Sequence, residues 1–371
     1  MIVVALIVLS LTGPAVPVPG QPVAHAHPLG KFEQLSQAAD RARDENRDAD
    51  AIQLYKQGLE LRPDWREGLW YLSTLLYEKE RYGDARDALR RFLTQDANAG
   101  PGWALLGMSE FQTREYPRAL DHLQRAMALG LGGRQEMAQS VFYFAAVLLT
   151  RFERYDDSMD MLLKMLGSGQ DTAALVEPAG LAALRIPLLP AEIRADRHAL
   201  VRLAGQAVIT LQTQRFEDAE AIFKQLESAY PSEPGVHFLH GAYLMKSHPE
   251  DGISEMKREL EISPSHVLAR VRIAEQYIEQ QQFDEAMPLA EEAVKLDPKR
   301  ASTHMVLGEA DIGKGNLAAG IKQLETARDD DPLTVRVHWD LFRVYSATGR
   351  TEDAKREKEE IEKLSSPQRG Q

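Results

Sequence analysis

The feature that most constrains this chain is a pattern of small and bulky residues that recurs about every 34 positions. In one clear copy, Trp103 and Gly107 are followed by Ala119, Leu123 and Ala126. Further copies begin at Gln206, Ile273 and Leu307. Small residues at this spacing let two antiparallel helices cross at close range, and a proline after the second helix ends it. The pattern therefore predicts a stack of helix pairs.

This period and this placement of small residues resemble those of tetratricopeptide repeats, and the resemblance covers about 320 residues. It implies an all-α fold, a right-handed superhelical solenoid of antiparallel helix pairs in two arrays joined by an irregular linker. Proteins of this family hold other molecules rather than react with them. The fold alone does not identify the partner.

Composition narrows the classes of function. The chain has 371 residues, a formal net charge of −12 and no cysteine. The negative charge disfavours nucleic acid as a partner, and the lack of cysteine excludes disulfides, thiolate metal sites and a cysteine nucleophile. We predict no cofactor and no metal, and we do not expect an enzyme.

The N-terminus has the pattern of an export signal at residues 1–26. Residues 2–11 are almost all apolar and too few to span a bilayer as a helix. Cleavage is expected after Ala26, with Ala15 as the alternative, and leaves a short tail at residues 27–31. No basic residue precedes the apolar run, since the first is Lys31. An uncleaved membrane tether or a wrongly assigned start therefore stays open beside a periplasmic or secreted location.

The rest of the chain divides into two predicted arrays. Residues 32–166 fit about four repeats, and residues 199–365 fit about five. Between them, residues 167–198 contain glycines and prolines that interrupt the apolar stretches, which indicates a linker with one short helix. Residues 366–371 form a tail.

One repeat of the second array departs from the pattern. Its loop at residues 247–250 is one residue short, and Ile253 stands where a small residue is usual. We expect a local distortion of that helix pair.

Partner binding in this family occurs on the concave surface, which the first helix of each repeat lines. Helical spacing assigns a mostly aromatic set of residues to that surface in the first array. These candidate binding residues are Trp70, Tyr71, Tyr77, Met108, Phe111 and Tyr143. Rigid rings on a partly exposed face would grip an extended or helical peptide. The alternative is that several of them pack against the neighbouring repeat.

The second array presents a mixed charged and apolar surface. Its candidate binding residues are Phe238, Arg272, Met305, Trp339 and Arg343. Either arginine could hold a partner carboxylate. The alternative is that the two arginines pair with Glu275 and Glu309 on adjacent helices and bind nothing.

Histidines give the strongest signal for chemistry in the sequence. His237 and His240 lie on adjoining helical turns, but no carboxylate shares their helix face. His237, His304 and His338 occupy the same place in three repeats. This recurrence favours a structural role in the core over a metal site.

These observations predict a non-enzymatic, exported scaffold that docks peptide segments of partner proteins in its concave grooves. The alternative is a substrate-recruiting or regulatory subunit of an envelope enzyme complex. Neither the partner nor the oligomeric state follows from the sequence.

Overall fold

A computed structural model describes residues 30–167 and 172–365. Within these ranges the chain forms nineteen α-helices, one short 3-10 helix and no strand, which confirms the predicted all-α fold. The predicted signal at residues 1–26 and the tail at 366–371 lie outside the described residues. Among the described helices, none combines the length and the apolar character needed to cross a membrane.

The chain divides into two compact units, unit 1 (Met1–Ala219) and unit 2 (Glu220–Gln371). Unit 1 contains α1 Lys31–Asp44, α2 Asp48–Leu61, α3 Arg66–Glu78, α4 Tyr82–Gln95, α5 Gly100–Gln112, α6 Tyr116–Leu129, α7 Gln135–Arg151, α8 Tyr155–Gly167, α9 Thr172–Ala183, the 3-10 helix Pro190–Glu192 and α10 His198–Gln212. The boundary falls within α11 Phe216–Ala229. Unit 2 continues with α12 Val236–Leu244, α13 Pro249–Ile262, α14 Val267–Glu279, α15 Phe283–Leu296, α16 Ala301–Gly313, α17 Leu317–Asp330, α18 Val335–Ala347 and α19 Thr351–Ser365.

A residue in the left-handed backbone conformation ends the first helix of most pairs. After it, the next amide reaches back to a carbonyl of the last helical turn, as from Arg81 N to Leu76 O at 2.8 Å. This hydrogen bond satisfies a carbonyl that the end of the helix leaves without a partner. Such turn residues are Asn46, Glu80 and Arg114 in unit 1 and Gln281, Gly315 and Gly349 in unit 2. The recurring turn folds each second helix back along the first.

The two helices of a pair cross closely at a glycine. A Cβ atom on Gly107 would lie 3.0 Å from the carbonyl oxygen of Ala119 and 2.8 Å from Leu123. A Cβ atom on Gly308 would lie 3.0 Å from the carbonyl oxygen of Gly320. These contacts confirm that the recurring small residues permit the crossing, and a larger residue there would force the helices apart.

The repeat formed by α12 and α13 keeps this crossing with a shifted register. Gly241 faces the carbonyl oxygen of Gly252, 3.0 Å from its potential Cβ, and Met256 at 3.1 Å. Because the connecting loop is one residue shorter, Gly252 and Met256 take the small and bulky positions of the second helix. Ile253 is buried beside the crossing at 4% exposure.

The segment predicted as a linker contains a packed helix. In α9 and α10, potential Cβ atoms on Gly180 and Gly205 would lie 1.9 and 1.8 Å from the carbonyl oxygens of Val201 and Val176. Pro178 lies inside α9 although its sequence position suggested a break. The compact units divide between Ala219 and Glu220. The bounds of the two repeat arrays and of the linker at residues 167–198 stay a prediction.

Candidate functional site

The first helices α14, α16 and α18 of unit 2 line a cleft of about 950 Å³, here called the Trp339 cleft. Helix α18 contributes Arg336, Trp339, Asp340 and Arg343, whose spacing places them on one helix face. Helix α16 contributes Glu309 beside them. Its apolar wall consists of Ile278, Phe283, Ile312, Leu317, Val344 and Ala347. The cleft therefore combines charged groups with an apolar wall.

Arg336 is the centre of a charged network in this cleft. Its guanidinium donates to both carboxylate oxygens of Glu309, with nitrogen–oxygen distances of 2.8 to 3.1 Å. It also donates to Glu275 at 2.8 Å, and the other Glu275 oxygen accepts from Arg272 at 3.0 Å. A planar guanidinium suits such a bridge because several donors point in fixed directions.

Asp340 is the least satisfied charged group of the cleft. Its side chain is 5% exposed, and Oδ1 accepts from Arg343, while Oδ2 has no hydrogen-bond partner. Burial and the neighbouring Asp340 carboxylate raise the pKa of Glu309 to about 8, although Arg336 opposes the shift. Burial and the nearby Asp340 carboxylate thus favour the protonated form of Glu309, and Arg336 favours the ionised form.

Trp339 is the exposed ring of the cleft. Its side chain is 48% exposed, and its ring meets Phe342 edge to face with the centroids 5.8 Å apart. An exposed indole above an apolar wall offers a large rigid contact area to a partner side chain.

The structure places the other candidates of the second array differently. Arg272 and Arg343 each pair with an acid of their own helix, Glu275 and Asp340, rather than across adjacent helices. Their role in partner binding stays a prediction. Met305 is 7% exposed and belongs to the core of unit 2, and the Phe238 ring lies 4.5 Å from the His266 ring. Trp339 and Arg343 are the two candidates that line the cleft.

Sequence reasoning missed Arg336 and Asp340. A signal for Asp340 was present, since the residue one repeat earlier is Val306, which is fully buried. A carboxylate at a position that the period assigns to the core needs a partner or a ligand. Arg336 lies one helical turn before Asp340 and could have been found from that spacing.

In unit 1 the predicted aromatic groove is largely filled by its own rings. The Trp70 ring lies 5.5 Å from Phe92, and Tyr71 stacks on Tyr55 with centroids 6.0 Å apart. The Arg43 guanidinium covers the Tyr71 ring at 3.9 Å. Trp70 and Tyr71 border a smaller cleft of about 470 Å³.

The remaining aromatic candidates pack in the same way. Phe111 lies 4.6 Å from Phe144, and Tyr143 lies 5.7 Å from the same ring. Tyr77 packs edge to face against the Tyr82 ring, and burial raises the pKa of Tyr77. Met108 is 3% exposed, so it offers no surface to a partner. The contact of Phe111 with Phe144 joins neighbouring repeats, as the alternative for this set states, whereas Tyr77 and Tyr143 contact rings of their own repeat. A binding role for the exposed edges stays a prediction.

Three histidines tie the loop before a first helix to the following second helix. In each, Nε2 faces a proline carbonyl oxygen at 3.0 or 3.1 Å, and Nδ1 faces a side-chain oxygen at 2.6 Å. The three sets are His237 with Pro231 and Glu255, His304 with Pro298 and Gln323, and His338 with Pro332 and Glu357. The repetition of these bonds supports the structural interpretation of the histidines.

A second histidine, His240, lies beside the hydrogen bonds of His237 and adds contacts with two further glutamates. His240 contacts Glu227 at 2.7 Å and Glu220 at 3.3 Å. Ligand atoms of Glu227, His240 and Glu255 lie within 4.8 Å of one another, a spacing that a metal ion could bridge. The sequence did not reveal this cluster, because its carboxylates come from α11 and α13. The contacts among these groups already pair imidazole nitrogens with carboxylate oxygens, as the contact of His338 with Glu357 does.

Comparisons with known proteins agree with the helix pairs. Residues 36–100 and 277–338 each match a family model described as tetratricopeptide repeat. A search of curated proteins finds no match. Among solved structures, "MamA RS-1 ArsTM double mutant" is 20% identical with a TM-score of 0.41, and covers 45% of this chain and 94% of its own. "MamA 41-end from Desulfovibrio magneticus RS-1" is 22% identical with a TM-score of 0.38, and covers 45% of this chain and 93% of its own.

The two segments that match repeat models contain the recurring turn residues Asn46, Glu80, Gln281 and Gly315. The second matched segment includes Glu309 and Arg336 of the Trp339 cleft. The cleft is therefore built on first helices of the repeats. The chain contains tetratricopeptide repeats, matched at residues 36–100 and 277–338.

Proposed function

We propose that this protein is a non-enzymatic scaffold that docks an extended segment of a partner protein in the Trp339 cleft. The observation that carries this proposal is the exposure of Trp339, 48%, beside an apolar wall in a cleft of about 950 Å³. Aromatic anchors of this kind commonly supply much of the energy of a protein interface. The paired charges around the ring would orient the docked segment.

The proposal is tested by panning a library of random peptides against the purified full chain. Bound peptides are then measured with the wild type and with Trp339→Ala, and we expect the substitution to weaken binding at least about tenfold. Leu333→Ala is the matched control, because Leu333 is 72% exposed and does not line the cleft. Peptides that bind both variants equally well would place binding elsewhere.

We also propose that the protein is exported. The support is the apolar run at residues 2–11 and the small residues that end at Ala26. N-terminal sequencing of the protein from its native host should find a chain that starts after Ala26 or Ala15. Replacing Leu6 and Leu9 with arginine should keep the chain in the cytoplasm, and a wild-type cytoplasmic chain that retains Met1 would contradict export.

A further inference from the structure

Carboxylate and imidazole groups from three helices converge in unit 2. Glu227 on α11, His240 on α12 and Glu255 on α13 each bring one potential metal-ligand atom, and these atoms lie within 4.8 Å of one another. Their side chains are 19%, 6% and 11% exposed, respectively. The set is therefore largely shielded from solvent, unlike an acidic patch on an open surface, where water satisfies each carboxylate.

Neighbouring repeats have apolar residues at two of these three places. Three places after the histidine that recurs in unit 2, this repeat has His240, whereas the next two have the buried Leu307 and Leu341. Ten places before the same histidine, Glu227 corresponds to the partly buried Val294 of the next repeat. Replacing apolar core residues with polar donors costs packing energy unless the donors bind something. This repeat therefore departs from its neighbours in the way that a ligand site requires.

A cation occupies the place of Glu227 in the repeat that contains α18. Arg328 lies ten places before His338 and donates to Glu357 Oε1 at 2.9 Å, while His338 contacts Glu357 Oε2 at 2.6 Å. In the repeat that contains α12, the corresponding acid is Glu255, but a second carboxylate stands where the guanidinium would be. The exchange of a cation for an acid leaves two neighbouring carboxylates that a bound cation would bridge.

The lysine and the arginine that pair with acids of this cluster bind oxygens that face away from the imidazoles. Lys224 contacts Glu220 Oε1 at 3.1 Å, and Arg258 donates to Glu255 Oε1 at 2.7 Å. Their side chains are 69% and 56% exposed, so water weakens both pairs. Glu227 contacts imidazole nitrogens instead. The positive charge beside Glu227 therefore comes from protons on the histidines or from a bound ion.

The far side of the His240 ring has the contact that orients a metal-binding imidazole. Its Nε2 lies 3.3 Å from Glu220 Oε2, so in the neutral ring Nε2 carries the proton and Nδ1 turns its lone pair toward Glu227. Phe223 stacks on the same ring with the centroids 4.9 Å apart and holds its plane. The place of Glu220 is Met287 in the next repeat, so this carboxylate also belongs to the added polar set.

We propose that Glu227, His240 Nδ1 and Glu255 bind a divalent transition-metal ion of the Zn²⁺ type, which ties α11, α12 and α13 together. One imidazole nitrogen and two carboxylates are ordinary zinc ligands, and the nitrogen favours Zn²⁺ over Mg²⁺. His237 keeps its hydrogen bond to Pro231 and positions Glu255 through Nδ1. In the metal-free chain, protons on the imidazoles balance the acids, and the ion takes their place. The sequence alone predicts no metal because it does not show that these three helices meet.

The first test titrates Zn²⁺ into the full chain after treatment with a chelator and dialysis. Calorimetry should show one tight site per chain. His240→Leu introduces the residue that the next two repeats have at this place, so the variant should fold, which circular dichroism checks, and should bind Zn²⁺ at least about a hundredfold more weakly. Glu220→Gln keeps an oxygen that can face Nε2 but removes the carboxylate, and it should weaken binding about tenfold.

His248→Gln is the matched control, because it removes an exposed histidine of the same unit that contacts Ser247. Its affinity for Zn²⁺ should equal that of the wild type. A wild type that binds no Zn²⁺, or equal affinity in His240→Leu, would overturn the site. Mg²⁺ at the same concentration should not displace Zn²⁺, and displacement would show that acids alone hold the ion and would contradict the nitrogen ligand.

The second test needs no variant. Hydrogen exchange of the wild type is measured without Zn²⁺ and with Zn²⁺ about a hundredfold above its dissociation constant. Exchange that requires α11, α12 and α13 to separate should slow about a hundredfold, because the ion binds only when the three helices are together. Exchange in α18 and α19 should not change. Zinc binding without protection of α11, α12 and α13 would place the ion elsewhere and overturn the inference.

Discussion

The residue directly after the crossing glycine of a first helix differs sharply between the two units. In unit 1, Met108 follows Gly107 and is 3% exposed within the apolar core. In unit 2, Glu309 follows Gly308 and is held by Arg336 in an open cleft. The same place in the repeat can therefore be core or the lining of a cleft, and the fold does not decide which.

Side-chain size at a second position explains why the cleft is open in unit 2. Phe111 and Ile312 each lie four residues after the crossing glycine of their helix. Phe111 contacts Phe144 and so occupies the space between the first helices α5 and α7. Ile312 is smaller and borders the Trp339 cleft. Large rings joined across neighbouring repeats close the surface, and aliphatic side chains leave room for a ligand.

The largest expected change in stability comes from placing in unit 1 the glutamate that unit 2 has after its crossing glycine. Met108→Glu should destabilise unit 1 by about 4 kcal/mol near pH 7, because the new carboxylate is buried without a partner. Hydrogen exchange of α5 and α7 would report the loss locally. Met108→Leu is the control and should cost less than about 1.5 kcal/mol. Similar exchange in both variants would show that this position is not core and would remove the contrast.

A smaller effect is expected from removing the central cation of unit 2. Arg336→Met leaves Glu275 and Glu309 without their shared guanidinium and should cost about 2 kcal/mol at pH 9. The cost should be smaller at pH 6, because Glu309, with its pKa raised to about 8, is then protonated and needs no cation. Urea unfolding at both pH values measures the difference.

Arg356→Met provides the comparison for this experiment. Arg356 pairs with Asp353 in the same unit, but its side chain is 73% exposed, so its loss should change stability by less than about 1 kcal/mol at either pH. A cost for Arg336→Met that is equally small, or that does not change with pH, would show that the acids of the cleft are adequately solvated.

The sequence predicts the helix pairs well because their causes are local. The period places Gly107 and Gly308 at the crossings of their helix pairs. The short loop at residues 247–250 explains why Gly252, and not Ile253, lies at the crossing of α12 and α13. Each of these positions depends on spacing along one pair of helices. Spacing is visible in the sequence.

The binding surface is less predictable because it depends on contacts between repeats. Helical periodicity assigns both Phe111 and Trp339 to the inward face, but Phe111 packs on Phe144 and Trp339 stays 48% exposed. Arg336 on α18 bridges Glu309, one repeat earlier, and Glu275, two repeats earlier. Which side chains meet across three helices follows from rotamers and side-chain lengths, which the period does not contain.

The smallest expected effect tests whether ionisable groups outside the cleft also give unit 2 a pH-dependent stability. Burial alone lowers the pKa of His240, but the hydrogen bonds and charges of Glu227 and Glu220 outweigh it and raise the pKa above the ordinary 6.5. Against the effect of burial, Lys224 and then His240 hold the pKa of Glu220 below its ordinary 4.5, and His240 chiefly does the same for Glu227.

These shifts set the pH window of the contribution. A raised histidine pKa gives stability that is fully present below about 6.5 and is lost as the pH rises through the raised value. The lowered glutamate pKa values give stability that is present above about 4.5 and is lost as the pH falls through the lowered values. Both contributions are complete between about pH 4.5 and 6.5.

We therefore expect His240→Gln to destabilise unit 2 by on the order of 1 kcal/mol near pH 6 and by less as the pH rises. The measurement is hydrogen exchange of α12 in the variant and the wild type across this range. His248→Gln is the control, since His248 is exposed and contacts Ser247 on its own loop. A His240→Gln effect that grows toward high pH would mean that the imidazole acts as a neutral packing group, and pH-dependent stability in unit 2 would then be limited to the Trp339 cleft.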